Sequence, residues 1–266
     1  MSNSSDRNSE AQCPHVSGAV LQALSVLASG VTTKMNAAPD GLWPNFLTRL
    51  CDASQSADAR QVQDVVDDML REGVSDDDIA GRYIPAVARH LGDEWLADRA
   101  GFAQVSIGSA RLQGLLRYLG PEWCGRDLVA TADAPRCLVM VPATDQHTLG
   151  ATILAGQLRS AGASVQLELD LPTKAARTII ANGDFSALMI SATQRISLDS
   201  LRFLVDTIRP VKPDMPILIG GNVLDQKIDM RAAIGVDVAT NDWNTALRVS
   251  TSKAMEIRTA SCGSRL

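Results

Sequence analysis

Cys137-Leu138-Val139-Met140-Val141-Pro142 and, two residues on, Asp145-Gln146-His147-Thr148-Leu149-Gly150 decide the fold. The first stretch is an unbroken apolar run and reads as a strand. Helical spacing of apolar residues then runs from Thr148 to Gly162. The polar hexapeptide therefore sits in the turn between a strand's carboxyl end and a helix, where open α/β sheets bind their ligands. An Asp two residues before a His can accept a hydrogen bond from one ring nitrogen. That fixes the tautomer and leaves the other nitrogen to serve as a metal ligand. Gly150 lets a bulky group approach the backbone.

Downstream, strand and helix patterns alternate. Strands are expected at 137–142, 165–169, 187–191, 217–220 and 236–239, and helices at 148–160, 173–182, 198–208, 223–234 and from Trp243 to about Met255. Five such units predict a parallel, doubly wound sheet of flavodoxin-like order 2-1-3-4-5 over 136–258. In that order the switch point lies between the first and third strands, so the His147 turn would face Ser191. Upstream, 43–120 reads as four helices forming a bundle: one from Trp43 to Leu50, one from Ser56 to Gly73, one from Ser75 to Ala97 with a kink at Pro85, and one from Phe102 to Leu119. Residues 121–135 are a polar, Pro- and Gly-containing linker, in which Trp123 is expected to pack a loop or interface. Residues 1–42 are expected to be a polar tail with a short helix, Val16 to Leu27. The end of the chain after Glu256 is expected to fray, with 259–266 as a tail. The class is thus α plus α/β.

Composition narrows the function. The formal charge of -5 disfavours non-specific binding to nucleic acid or an anionic membrane, which needs a basic face. The five cysteines stand far apart with no Cys-x-x-Cys pair, so neither a zinc cluster nor a disulfide framework is indicated. The amino terminus lacks a signal peptide's apolar core, and no run reaches the length of a membrane span. A cytoplasmic protein is expected. There is no Gly-x-Gly-x-x-Gly and no Walker motif, so dinucleotide and P-loop sites are not supported. His15 lies in the polar tail and His90 on a packed helix, and neither is expected to bind a ligand.

Two further stretches join the Asp145–Gly150 motif. Ser191-Ala192-Thr193 ends the third expected strand, and Gly220-Gly221 ends the fourth. Together the three resemble the cobalamin-binding domain family in order and spacing. The resemblance implies His147 as the lower cobalt ligand, supported by Asp145. It also implies a slot for the cofactor's nucleotide tail along Ser191, Thr193, Gly220 and Gly221. A small helical bundle would cap the corrin, with Trp95 matching the family's cap Trp and Phe102 opening the next helix. Core packing is the plainer role for that Trp. Light-sensing members carry a Glu-His pair where this chain has Val105-Ser106, so that upper His ligand is absent here.

From Trp95 through Val105-Ser106-Ile107-Gly108-Ser109-Ala110-Arg111-Leu112-Gln113 the chain further resembles the AerR/PpaA family of antirepressors. That resemblance implies a light-responsive, non-enzymatic regulator of transcription, acting on a PpsR/CrtJ-type repressor of photosynthesis genes. The region before Trp43 is short and not basic, so direct promoter recognition is not expected. The alternative is a corrinoid methyl carrier serving a methyltransferase. A domain that has lost its cofactor is the third reading.

Overall fold

The computed structural model describes residues 42–124 and 133–263. The expected Val16–Leu27 segment and the middle of the linker, 125–132, lie outside them. The bundle comprises α1 (Pro44–Gln55), α2 (Gln61–Arg71), α3 (Ile84–Leu96) and α4 (Phe102–Leu119). Its core gathers Phe46, Leu50, Val66, Met69, Tyr83, Ile84, Leu91, Leu112 and Leu116. Each such side chain contributes roughly 1.5–3 kcal/mol when fully buried.

Two helix expectations are corrected. The second helix begins at Gln61, not Ser56, because Asp58 accepts from the backbone N–H of Arg60 at 2.9 Å and holds a turn there. The third does not kink at Pro85. Ser75 caps a short segment, Asp76–Asp78, which widens into a π turn over Ile79–Tyr83 before α3. The backbone N–H of Ile84 reaches back five residues to the Ile79 carbonyl. A proline lacks the N–H that a tight helix needs and crowds the carbonyl four residues back. The widened turn accommodates both deficits.

The sheet is parallel, in the order β2-β1-β3-β4-β5. The strands are β1 (Arg136–Pro142), β2 (Ser164–Leu171), β3 (Ala187–Ser191), β4 (Ile217–Gly220) and β5 (Val238–Ala239). Helices α5 (Leu149–Ser160), α6 (Thr173–Asn182), α7 (Leu198–Ile208), α8 (Met230–Ile234) and α9 (Trp243–Gly263) complete the domain. Leu138, Met140, Leu188, Ile190, Ile217 and Ile219 face α6, α7 and α8. Cys137, Val139, Val141 and Met189 face α5 and the start of α9. Burial on both faces explains why β1, β3 and β4 are continuous apolar runs.

Three departures appear late in the chain. The expected helix at 223–234 is a 3-10 turn, Asn222–Gln226, followed by α8. Lys227 takes a left-handed conformation (φ 54°), and Asp229 caps α8 through the N–H groups of Arg231 and Ala232. The last strand is only two residues long, because Asp237 turns aside to accept from the Ile217 N–H at 2.7 Å and from Arg209 at 2.8 Å. The backbone of α9 remains helical to Gly263, beyond the point where fraying was expected.

The bundle docks on α5. The expected linker opens as a 3-10 turn, Pro121–Cys124, that buries Trp123. A Cβ at Gly156 would lie 2.0 Å from the Trp123 ring, so only glycine lets the indole settle on α5. Gln157 of α5 meets the π turn at Gly81, and Ile153 joins the bundle core.

Cys51 and Cys137 are buried free thiols. Burial pushes Cys51 up to about 12 and Cys137 up to about 11. The thiolate is the reactive form, so both should stay protonated across the physiological range. At pH 8 iodoacetamide is expected to alkylate them at least about 100-fold more slowly in the folded chain than in denaturant. Site-resolved mass mapping measures this, and equal labelling in both states would refute it.

Candidate functional site

The site forms where the β1, β3 and β4 exits meet. Pro142 ends β1, and its carbonyl accepts from the Asp145 N–H at 2.8 Å, closing a turn. This turn aims the Asp145 carboxylate inward, leaving the residue 4% exposed. Oδ1 takes the His147 backbone N–H at 3.0 Å and pairs with His147 Nδ1 at 2.5 Å. Oδ2 takes the Thr193 backbone N–H at 2.7 Å. One carboxylate therefore ties the β1 exit to the β3 exit. Burial works to raise the pKa of Asp145, but the donors of His147 and Thr193 outweigh it and hold the carboxyl below its usual range. An ionised Asp145 accepts a hydrogen bond from Nδ1–H, and a proton kept on Nδ1 leaves the imidazole lone pair on Nε2.

The other sequence-predicted residues are placed as follows. Gly150 lies in the first turn of α5, and a Cβ there would stand 3.9 Å from Ser191 Oγ. Asp145, His147, Gly150, Ser191 and Thr193 thus come together. Gly220 and Gly221 lie at the adjoining β4 exit. The room their missing side chains leave is filled by protein. A Cβ on Gly220 would lie 2.7 Å from the Thr240 carbonyl oxygen, and one on Gly221 would lie 2.2 Å from that of Ala192. Trp95 and Phe102 are half-buried and pack against the bundle core, the plainer of the roles the sequence allowed.

Sequence reasoning missed several supports. Asn241 accepts the Gly221 N–H at 2.7 Å and so fixes the glycine turn. Asn222 accepts the Gln194 N–H at 3.1 Å and links the β4 exit to the β3 exit. An Asn directly after Gly-Gly was the available signal for the second, whereas Asn241 lies 20 residues from its partner. Arg89 of α3 was also missed. Loss of surrounding water lowers its pKa, while the carboxylates of Asp93 and of Asp225, in the turn after Gly-Gly, act in the opposite sense. The π turn before α3 meets α5 at Gln157, and Arg89 of α3 lies within the field of Asp225.

A single imidazole holds a metal poorly, and among the described residues no group of three or more His, Cys, Asp or Glu side chains gathers to bind one. A metal that arrives inside a macrocycle needs only one protein donor, and His147 has the supporting carboxylate such a ligand requires. Thr193 Oγ1 is buried without a hydrogen-bond partner beside Asp145, so the protein leaves a polar group there to be satisfied. Both observations fit a corrinoid. Among the described residues no helix is long and apolar enough to cross a membrane.

Comparison with known proteins agrees. The B12 binding domain family model matches residues 135–248. A Rhodobacter capsulatus protein, described as an uncharacterised 20.5 kDa protein in the bchF-crtJ intergenic region, is 35% identical over 172 residues, covering 64% of this chain and 89% of the relative. The monomethylamine corrinoid protein of Methanosarcina barkeri shares the fold with a TM-score of 0.65 at 19% identity, over 79% of this chain and 98% of that one. On the matched domain and the Rhodobacter relative, this chain belongs to the B12 binding domain family, whose cofactor is cobalamin.

Proposed function

We propose that the chain is a cobalamin-dependent regulator that catalyses no reaction and relieves repression by contacting a DNA-binding repressor of the PpsR/CrtJ type. The observation that carries this reading is the Rhodobacter relative, matched over most of its length and described by its position beside crtJ. Cobalamin, when bound, would supply a cobalt centre with a light-labile bond. The protein's part is to hold that centre through His147 and to present a bundle, docked on α5 through Trp123, whose seating depends on what lies beneath it. Such a switch works only if the two ligand states bind the partner with different affinity.

The test is repressor binding to its promoter, with and without the chain loaded with hydroxocobalamin, in light and in dark. The loaded chain is expected to weaken repressor binding by at least about tenfold, a shift of about 1.4 kcal/mol. No change under either condition would overturn the regulator reading. The fold shared with a corrinoid protein does not argue for methyl transfer, because one fold hosts many functions. Methyl transfer from methylcobalamin on the chain to a thiol acceptor at a catalytic rate would establish the carrier alternative instead.

A further inference from the structure

Strand β2 is the long open edge of the sheet. It pairs with β1 alone, while the opposite edge, β5, is two residues long. Successive residues of a parallel strand turn their backbone groups to opposite sides. The Ser164 N–H donates to the Pro135 carbonyl at 3.0 Å, so Ser164, Gln166 and Glu168 serve β1. The N–H and C=O groups of Val165, Leu167 and Leu169 therefore point away from the sheet. Arg159 of α5 donates to the Val165 carbonyl at 2.9 Å, which marks the near end of this row. Asp170 takes a left-handed conformation (φ 58°) and ends the row beyond Leu169. Among the described residues, nothing takes up the outward groups of Leu167 and Leu169. The side chains of the row grade from buried Val165 through half-buried Leu167 to Leu169, which is 43% exposed. An unpaired apolar edge is a template for another strand.

We propose that this edge pairs with β2 of a second copy, antiparallel about a two-fold axis through Leu167, so that two sheets join into one. The row fits its own copy in both hydrogen bonding and charge. Only an axis through Leu167 pairs all three outward residues, setting Leu167 against its own counterpart and Val165 against the partner's Leu169. The Val165 carbonyl has a second lone pair, so it can serve the partner as well as Arg159. The same register sets Gln166 against the partner's Glu168, an amide donor against a carboxylate. Within one chain Gln166 Nε2 already donates to Glu168 at 2.8 Å, so the two groups suit each other. Moving the axis to Glu168 or Leu169 would set Glu168 against itself or against Asp170, and like charges directly opposite are destabilising. On the α5 side, a groove lined by Leu116, Arg117, Leu167 and Leu169 lies open beside the edge. The partner's Val165 and Leu169 side chains would enter it and cover the exposed leucine. Such a contact uses one patch on both copies, the common form of a closed dimer. No group of the His147 turn takes part, so the inference stands apart from the cofactor and repressor readings.

The experiment is sedimentation velocity on the full-length chain without cofactor, from about 1 to about 100 μM. The unaltered chain is expected to pass from monomer to dimer over this range. Leu169→Pro should raise the dissociation constant at least about tenfold, because it removes an outward N–H at both ends of the paired row. An edge strand accepts proline where the N–H faces out, so the variant's circular dichroism and unfolding temperature should stay close to the original. The register is read by cross-linking in a chain whose Cys13, Cys124 and Cys262 are changed to serine. There Leu167→Cys should oxidise to a disulfide-linked dimer at least about tenfold faster than Glu168→Cys, because directly opposed Cα atoms stand about 5.5 Å apart, within disulfide reach. If Leu169→Pro fails to fold, the cross-linking rates decide alone. A chain that stays monomeric throughout would overturn the proposal. So would a dimer that Leu169→Pro leaves as tight, since another surface would then hold it, or equal cross-linking at 167 and 168.

Discussion

His147→Ala mixed with hydroxocobalamin is expected to leave gel filtration colourless, where the unaltered chain carries a stable red complex. Changes to groups that merely support a metal ligand typically cost about 10–100-fold in affinity, so loss of the ligand itself should cost at least about 100-fold. The substitution is a clean one. His147 is partly exposed, and removing its ring leaves Asp145 still holding the Thr193 N–H at 2.7 Å. The β3 exit therefore keeps its anchor, and far-ultraviolet circular dichroism should be unchanged. Asp145→Ala would confound binding with stability, because it strips the Thr193 N–H of its buried acceptor. If His147→Ala takes up the vitamin with the same spectrum and affinity, His147 is not the cobalt ligand.

Gly221→Ala is expected to destabilise the fold more than any other single methyl added at the site. Gly221 has φ 102° and ψ -177°, a region essentially reserved for glycine. Occupying it with an L side chain costs about 1–3 kcal/mol. The new methyl would also lie 2.2 Å from the Ala192 carbonyl oxygen. That carbonyl accepts the Val223 N–H at 3.3 Å, while the Gly221 N–H is committed to Asn241, so neither side can yield freely. Overpacking adds about 1–3 kcal/mol more. The sum is a large share of the 5–15 kcal/mol typical of a domain. Urea unfolding measures it, and a loss below about 1 kcal/mol would show that the β4 exit relaxes easily.

Legibility followed burial. The strands β1, β3 and β4 are apolar on both faces, so their sequences had one reading, and the parallel order followed from the alternation of strands and helices. Elements decided by single polar groups were harder. Asp229 is a good capping residue, but nothing local said that Lys227 would turn left-handed and split the helix. Asp237 cut β5 short through partners 20 and 28 residues away. Pro85 announced a disturbance, and the neighbouring turns settled whether it became a kink or a π turn. At the site, Asp145, His147 and Ser191 were legible because the chemistry lies within short motifs. The glycines at 220 and 221 were noticed for the space they leave, while their contacts to Thr240 and Ala192 emerged only from the assembled sheet.

The two oxygens of Asp145 belong to different neighbours, one serving the imidazole and the other the peptide after β3. A pull that rotates the ring toward a metal must also twist the plane of that carboxylate. The group is almost sealed from water, and its second oxygen is committed to the Thr193 N–H. The carboxylate thus couples the orientation of the imidazole on the β1 exit to the position of the peptide after the neighbouring β3.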